Sequence, residues 1–560
     1  MAHDTNAETG DWLARDEAAR AYVVGATRAV ESLLASTYGP RGSTSLVQTV
    51  DGQQVPETVV TADAGRLLDA IERGDGFVHP IAALFVDGLD SVRRGLHDGT
   101  TTAALLAAGL VDEGARLAET GLHEGTLTVG YAMAANRAGE VLDDLARPIS
   151  PTDRDRLREV AETSMTTDLS PSRRDAYADV VSTAVAELAG STEGQWFDTD
   201  DVSVRTRAGD GVELVRGHVI RRRPGAHETS EKSRLSFDWT PSVEGVLSDA
   251  RIAVLERDID VEATATNFGS GGAAVSLGSA GSVAAYTAAR TDAIDDVAAS
   301  VADLGVDVLV VRAELDDAVK TALESRGVAV VDRAQYPKSD IHRVARATGA
   351  QVVGHVSDLD ESKLGRAGRV TERRVGDEKW TTIGECEGSV FTVVVGTPTE
   401  QGRTAHERLV EDAVETTAIA ALDGQVLPGA GAAPLAVARD LRRFAGGVRG
   451  KEQLAIEAFA DVCESLVRTL ARNAGYDPLE VVAAVRTAHA DAAADPAPVG
   501  LDVTRGEPAD AWELGVVEPR RVFSQALDSA VATSEQLSTI DAVVSPGLDL
   551  DELDPQIEHD

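Results

Sequence analysis

The sequence predicts an α plus α/β protein in which helical ends enclose a mixed middle. Three observations carry this reading. Apolar residues recur at helical spacing from residue 11 to about 200, and again from Thr404 onward. Short apolar runs at 251–255, 306–311, 327–331 and 351–353 alternate with helical stretches, as in a βαβ layer. The chain has 560 residues, too many for one core, so about two to four domains are expected. Helical segments at both ends permit one discontinuous helical domain.

In chain order, Trp12, Ala19, Val23, Val30 and Leu34 set a first helix over 11–36. Two glycines and a proline then make 36–42 a sharp turn. Residues 47–60 read as a hairpin around Asp51-Gly52. A turn at 61–65 opens a second helix, and His79-Pro80 opens a third. Residues 101–147 are almost wholly helical with a break at Gly121, and Pro148 and Pro151 mark a boundary. Helices continue over 152–200. Alternation at Val202 and Val204 and at Val212 and Leu214, and the pair Val219-Ile220 after Gly217, predict three short strands. A Gly/Ser/Ala-rich excursion at 264–282 precedes a helix over 281–303, and a Ser cap and Gly349 bound another at 339–348. Strands return over 369–396. The chain is then helical, with helices at 434–444, 451–471, 477–490 and 521–541 and an acidic frayed tail from Pro546.

Hydrophobic residues make up 43% of the chain, enough for ordinary globular packing. The formal net charge is -40, from 93 acidic and 53 basic residues, and only six of the basic residues are Lys. An acid-rich, Arg-over-Lys surface is what adaptation to high cytoplasmic salt looks like, because salt screens the self-repulsion. The same charge argues against nucleic acid, which needs a basic footprint. Pervasive apolar periodicity excludes a disordered acidic chain. Cys386 and Cys463 are far apart and lack metal spacing, which points to a reducing cytoplasm. Residues 1–10 have neither the basic nor the apolar region of a leader, and no apolar run approaches a membrane span. A soluble cytoplasmic protein is expected.

The densest chemistry lies in His97-Asp98-Gly99-Thr100-Thr101-Thr102, which opens the apolar run 103–111. The run reads as a helix and the hexapeptide as its first turn. Free N–H groups and the positive dipole end there suit a phosphate, and three hydroxyls add donors. Asp98 repels phosphate unless a divalent cation lies between, a setting that Mg²⁺ prefers. An ordinary N-cap explains Asp or Thr at this place as well.

Several stretches together resemble the group II chaperonins, the archaeal thermosome and its eukaryotic cytosolic relatives. Thr37-Tyr38-Gly39-Pro40-Arg41-Gly42 is similar to the family's Thr-Leu-Gly-Pro-Lys-Gly, and Asp98 to Thr102 to its Gly-Asp-Gly-Thr-Thr-Thr. The longest matches are the run from Gly450 to Asp461, Arg468-Thr469-Leu470 with Asn473-Ala474-Gly475, and the run from Trp512 to Pro519. The resemblance spans roughly 17–545 and is weakest between about 200 and 290. It implies a three-domain subunit: an equatorial ATP-binding domain near 1–149 and 403–560, an intermediate domain near 150–216 and 370–402, and an apical substrate-binding domain at 217–369. Family subunits form double rings around a folding chamber, closed by an apical protrusion on ATP turnover. Partners are other chaperonin subunits and unfolded polypeptides, with no nucleic acid and no membrane.

The resemblance also implies site residues. Thr37, Gly39 and Pro40 fall in the first phosphate turn. Asp98 matches the Mg²⁺ ligand, and Gly99, Thr100, Thr101 and Thr102 cradle phosphate. Asp63 and Asp412 match the two aspartates that position the attacking water. Gly429 and Gly431 match the turn near the nucleoside, and Glu518 the acid at the ribose. Phosphoryl transfer to water needs these parts and no covalent nucleophile.

Four departures stand out. His97 replaces a glycine, Ala62 and Ala64 flank Asp63 where the family has Asn and Gly, Ala430 interrupts a glycine triplet, and Asp168 stands at or near a nucleotide-sensing Lys. The excursion containing Phe268-Gly269-Ser270-Gly271-Gly272 is also a poor apolar grip for clients. Two functions follow: an ATP-driven folding chaperonin, or a catalytically weak structural or regulatory subunit of mixed rings. An unrelated metal-dependent phosphohydrolase is disfavoured because no second metal cluster is visible.

Overall fold

The computed structural model describes residues 11–15, 17–50, 56–73, 76–77, 79–165, 169–192, 196–222, 241–259, 280–334, 340–492 and 495–546. The Asp51-Gly52 turn, Asp168, most of the 264–282 excursion, the Ser339 cap and the tail beyond Pro546 lie outside the described residues. The chain divides into two compact units, 1–186 with 412–560, and 187–411.

In chain order the first unit begins with β1 (Asp11–Arg15), α1 (Glu17–Ala35), β2 (Ser45–Val50), β3 (Pro56–Thr61), α2 (Ala64–Arg73), α3 (Pro80–Gly88) and α4 (Asp90–Arg93). It continues through α5 (Thr100–Glu119), α6 (Glu124–Leu145), β4 (Arg147–Pro148), α7 (Arg154–Ser164) and α8 (Pro171–Ser191). The second unit carries β5 (Val202–Ala208), β6 (Val212–Arg222), β7 (Val246–Leu255), α9 (Ala280–Asp303), β8 (Val308–Val311), α10 (Asp317–Glu324) and β9 (Ala329–Val331). There follow α11 (Asp340–Thr348), β10 (Val352–Val353), β11 (Gly365–Val375), β12 (Glu378–Gly384), β13 (Phe391–Thr397) and α12 (Glu400–Asp423), within which the chain re-enters the first unit. The first unit closes with β14 (Gln425–Pro428), α13 (Ala432–Ala445), α14 (Glu452–Asn473), α15 (Pro478–Asp491), β15 (Val499–Asp502) and β16 (Glu507–Asp510). Last come α16 (Ala511–Leu514), β17 (Val517–Pro519), α17 (Arg520–Ser538) and β18 (Ala542–Pro546).

The helical unit is organised on α5. Ala103 to Ala108, Leu110 and Val111 are all buried, so the first half of the helix is apolar on every side and lies inside, while Asp112, Glu113 and Arg116 of its second half reach the surface. It packs against α1, α14 and α17. Each of its buried Leu and Val side chains contributes about 1.5–3 kcal/mol. Discontinuity follows directly: α5 comes from the first part of the chain, and α14 and α17 come from the last.

In the second unit, nine strands form one sheet in the order β5-β13-β6-β12-β11-β7-β8-β9, with β10 beside β7. The β7, β8, β9 and β10 pairings are parallel and joined by α9, α10 and α11. Alternation decides the two faces. Ile252, Val254, Val308 and Val310 meet Ile341 and Val344 of α11. Ala253, Leu255, Leu309 and Val311 meet Ala298 and Val301 of α9 and Val319 of α10. The chain is thus α plus α/β, as the periodicity predicts.

Several boundaries differ from expectation. Residues 11–15 are a strand rather than the start of α1, because they pair antiparallel with β18. The predicted last helix stops at Ser538 for the same reason. β6 runs unbroken through Gly217, where two strands are expected. A side chain at Gly217 would lie 2.0 Å from the Ile383 carbonyl, so glycine here admits a neighbouring strand instead of ending one. The C-terminal part is not purely helical. β15 and β16 form a hairpin, and β4, β14 and β17 form a small sheet.

Candidate functional site

Several segments of the helical unit converge at the N-terminus of α5. Gly99 is left-handed (φ 81°) and precedes the helix with no side chain capping it. Asp98 does not act as a cap. Its Oδ1 accepts from the adjacent Gly99 N–H at 2.6 Å, and its Oδ2 lies 3.5 Å from the Thr416 hydroxyl, which donates. Among the described residues, the first N–H groups of α5 therefore have no side-chain acceptor, and the N-cap alternative is not realised.

The first turn comes from the end of α1. Its Gly42 N–H donates to the Gly39 carbonyl at 3.0 Å, and Pro40 is exposed at the tip. Thr37 is buried, and its hydroxyl lies 3.4 Å from that of Thr101. The Asn473 amide donates to the carbonyls of Ala35 and Tyr38, each at 2.8 Å, which fixes the turn against α14. A side chain at Gly39 would strike Leu470 at 2.4 Å, and one at Gly431 would meet Val467 at 2.8 Å and Leu470 at 3.8 Å. Leu470 thus underlies both glycine turns, bringing the nucleoside-turn candidates Gly429 and Gly431 to the first turn.

Glu518 arrives through sheet register. It pairs with Leu427 across β17 and β14, two residues before Gly429, whose N–H donates to the Val516 carbonyl at 2.8 Å. Asp63 sits at the start of α2, where its Oδ1 accepts from the Arg66 N–H at 2.8 Å. Asp63 Oδ1 and the buried Thr100 hydroxyl both lie beside Gly65, at 3.3 and 3.6 Å from the place of a side chain there. Asp412 and Thr416 stand one turn apart on α12, and hence on one face. Asp412 pairs with the Arg66 guanidinium. Thr102 completes the group, beside the Tyr38 phenol. Every expected site residue therefore lies in this unit, and the chain's two ends supply the site jointly.

The electrostatics are one-sided. Burial, then the Asp63 carboxylate, pushes Asp98 up to about 6, against the pull of the Gly99 N–H and the Thr416 hydroxyl. Burial and Asp98 push Glu518 up to about 8. The Tyr38 phenol is raised by burial and by Glu518 and Asp98. Such a pocket is short of positive charge, and a divalent cation at Asp98 suits it chemically. Among the described residues, no group of three or more His, Cys, Asp or Glu could hold a metal. A cation here would be held by one carboxylate and by the ligand's own oxygens, the manner in which Mg²⁺ is bound with phosphates.

Two departures from the family pattern fall at unusual backbone positions. His97 and Ala430 are both left-handed, each with φ 56°, a conformation suited to glycine. Sequence reasoning missed Tyr38, Thr416, Asn473 and Arg66. Thr416, four residues after Asp412, carried a helical-face signal. Asn473 lay in a recognised motif without an assigned role.

Comparison with known proteins shows the family. The profile of the TCP-1/cpn60 chaperonin family matches residues 30–547. The chain belongs to that family. This chaperonin subunit, serving protein folding, is 34% identical over 525 residues to a thermosome subunit of Methanopyrus kandleri, covering 93% of this chain and 90% of the relative. It is 31% identical to thermosome subunit beta of Methanothermobacter thermautotrophicus, over 96% and 93% of the two chains. It is also 31% identical to thermosome subunit alpha of Halobacterium salinarum, over 95% and 89%. No helix among the described residues is long and apolar enough to cross a membrane.

Proposed function

We propose that this chaperonin subunit binds Mg²⁺-ATP at the N-terminus of α5 and hydrolyses it to drive folding of non-native proteins inside a double ring. The observation that carries the reading is the N-terminus of α5, left without a side-chain cap, with Asp98 at its turn, Asp63 raising Asp98, and Asp412 paired to Arg66 beside Asp63. Three domains are proposed with it: equatorial (1–149 and 403–560), intermediate (150–216 and 370–402) and apical (217–369). A cytoplasmic site of action fits the acid-rich composition.

In this reading Asp98 would hold the Mg²⁺, which when bound offsets phosphate charge and polarises the transferring group. The N–H groups and hydroxyls of Thr100, Thr101 and Thr102 donate to phosphate oxygens, with Gly99 shaping their approach. The Thr37-Gly39-Pro40 turn closes over the phosphates from α1. Gly429 and Gly431 let the nucleoside approach backbone, and Glu518 accepts from a ribose hydroxyl. Asp63 and Asp412 accept hydrogen bonds from the attacking water and orient it. The glycine-like backbone at His97 and Ala430 supports working turnover over the catalytically weak alternative.

ATP hydrolysis and electron microscopy of the assembled protein in molar KCl test this. The parent should form double rings and hydrolyse ATP. Asp98→Ala and Asp412→Ala should each slow turnover by roughly 10²–10³-fold, the scale of losing one transition-state group. A parent that hydrolyses no ATP, or rates indifferent to both substitutions, contradicts the proposal.

A further inference from the structure

Arg66 lies outside the set that the family resemblance assigns, yet it touches both aspartates proposed to orient water. Its backbone N–H donates to Asp63 Oδ1 at 2.8 Å. Its guanidinium pairs with Asp412 Oδ2. The contact is partly shielded, with 16% of the Arg66 side chain and 32% of the Asp412 side chain exposed. Asp63 immediately precedes α2 and Arg66 lies in its first turn, so the start of one helix sets both carboxylates.

The surrounding charges make this contact consequential. Among the described residues, no ion pair joins Asp98 or Glu518 to a guanidinium. Arg93, a second guanidinium beside this turn, is committed to Asp90, Glu72 and Asp69. A planar guanidinium holds a carboxylate in one orientation, as a flexible ammonium does not. Misplacing an orienting group by about 1 Å can cost ~10²-fold in rate.

We infer that Arg66 is a positioning residue for hydrolysis. It acts through Asp63 and Asp412, fixing one by its backbone and the other by its side chain, and so holds both carboxylates on the attacking water. The inference rests on the reading that this pocket hydrolyses ATP. Arg66 touches no part of the nucleotide in this role, so turnover depends on it and affinity does not.

Steady-state ATP hydrolysis by the full-length assembled protein in molar KCl decides the matter. The variants are Arg66→Ala, Arg66→Lys, Asp412→Ala, the Arg66→Ala/Asp412→Ala double variant and Asp98→Ala, each checked for ring assembly. Arg66→Met, which keeps the apolar stem, replaces Arg66→Ala if the latter does not assemble. Expected is a fall in kcat of about 10–100-fold with KM within about threefold of the parent. Arg66→Lys should recover part of the loss. In the Asp412→Ala background, removing Arg66 should change kcat less than about twofold. An unchanged or raised kcat, a loss confined to KM, or an equal loss with and without Asp412 overturns the inference. In each of those cases the parent still turns over and Asp98→Ala still stops it, so the site itself stands. A parent without hydrolysis, or an active Asp98→Ala ring, overturns the site and the inference together.

Discussion

The two units each withdraw a charged cluster from water, and they treat its charge in opposite ways. In the helical unit, burial and Asp63 raise Asp98, burial and Asp98 raise Glu518, and Asp98 is supported by the Gly99 N–H, with a longer contact to the Thr416 hydroxyl. In the sheet unit, Asp340 is fully buried on α11. His218 Nε2 lies 2.9 Å from its Oδ1, an Arg205 nitrogen 3.0 Å and an Arg343 nitrogen 3.8 Å. Burial raises that carboxyl, but His218, Arg205 and Arg343 outweigh it and hold it below the usual range. A paired cluster fastens β5 and β6 to α11 through Asp340 Oδ1, while Asp340 Oδ2 has no hydrogen-bond partner among the described residues. An acid cluster lacking cations lowers stability until a ligand brings one, which is the mark of a site.

Breaking the paired cluster should have the largest effect on stability. Asp340→Ala leaves Arg205 buried without its partner and should cost about 3–5 kcal/mol in denaturant unfolding. Asp98→Asn should go the other way without nucleotide, stabilising by about 1–2 kcal/mol while turnover is lost. If Asp98→Asn destabilises as much as Asp340→Ala, the contrast between the clusters fails.

Acidity separates them further. Asp98 and Glu518 bind protons more tightly in the folded chain, so their contribution to stability falls as pH rises, from 3.8 to about 6 for Asp98 and from 4.5 to about 8 for Glu518. His218 is lowered by burial, so the unfolded chain takes up its proton first, and stability falls as pH drops through 6.5. Thermal unfolding between pH 5.5 and 7.5 should therefore shift in opposite senses on Glu518→Gln and His218→Gln. Glu518→Gln should remove a loss at the alkaline end, and His218→Gln a loss at the acid end. The smallest effect concerns strain. Ala430→Gly should stabilise by about 0.5–1 kcal/mol by relieving the left-handed backbone, measured as a rise in denaturation midpoint.

Legibility tracked the range of the forces involved. Helices α5 and α13 were readable because the periodicity of their own side chains selects them, and Gly121 stops the first by a local conformational rule. Strands β1 and β18 were not, since each exists only through a partner more than 500 residues away. The hairpin at β15 and β16 carried a turn signal at Gly506 (φ 76°) that a helical reading of the C-terminal part overrode. In the site, Asp98 and the threonines were readable from residue type beside a helix start. Arg66 was not, because an arginine on the polar face of an amphipathic helix looks like any solvated charge until Asp412 comes from α12 to meet it.

A density map of the assembled protein with Mg²⁺ and a non-hydrolysable ATP analogue tests the proposed pocket most directly. The phosphates should lie within hydrogen-bond distance of the N–H groups of Thr101 and Thr102, with Asp98 on the cation and Glu518 at the ribose. A nucleotide bound elsewhere, or one whose phosphates avoid the start of α5, contradicts it.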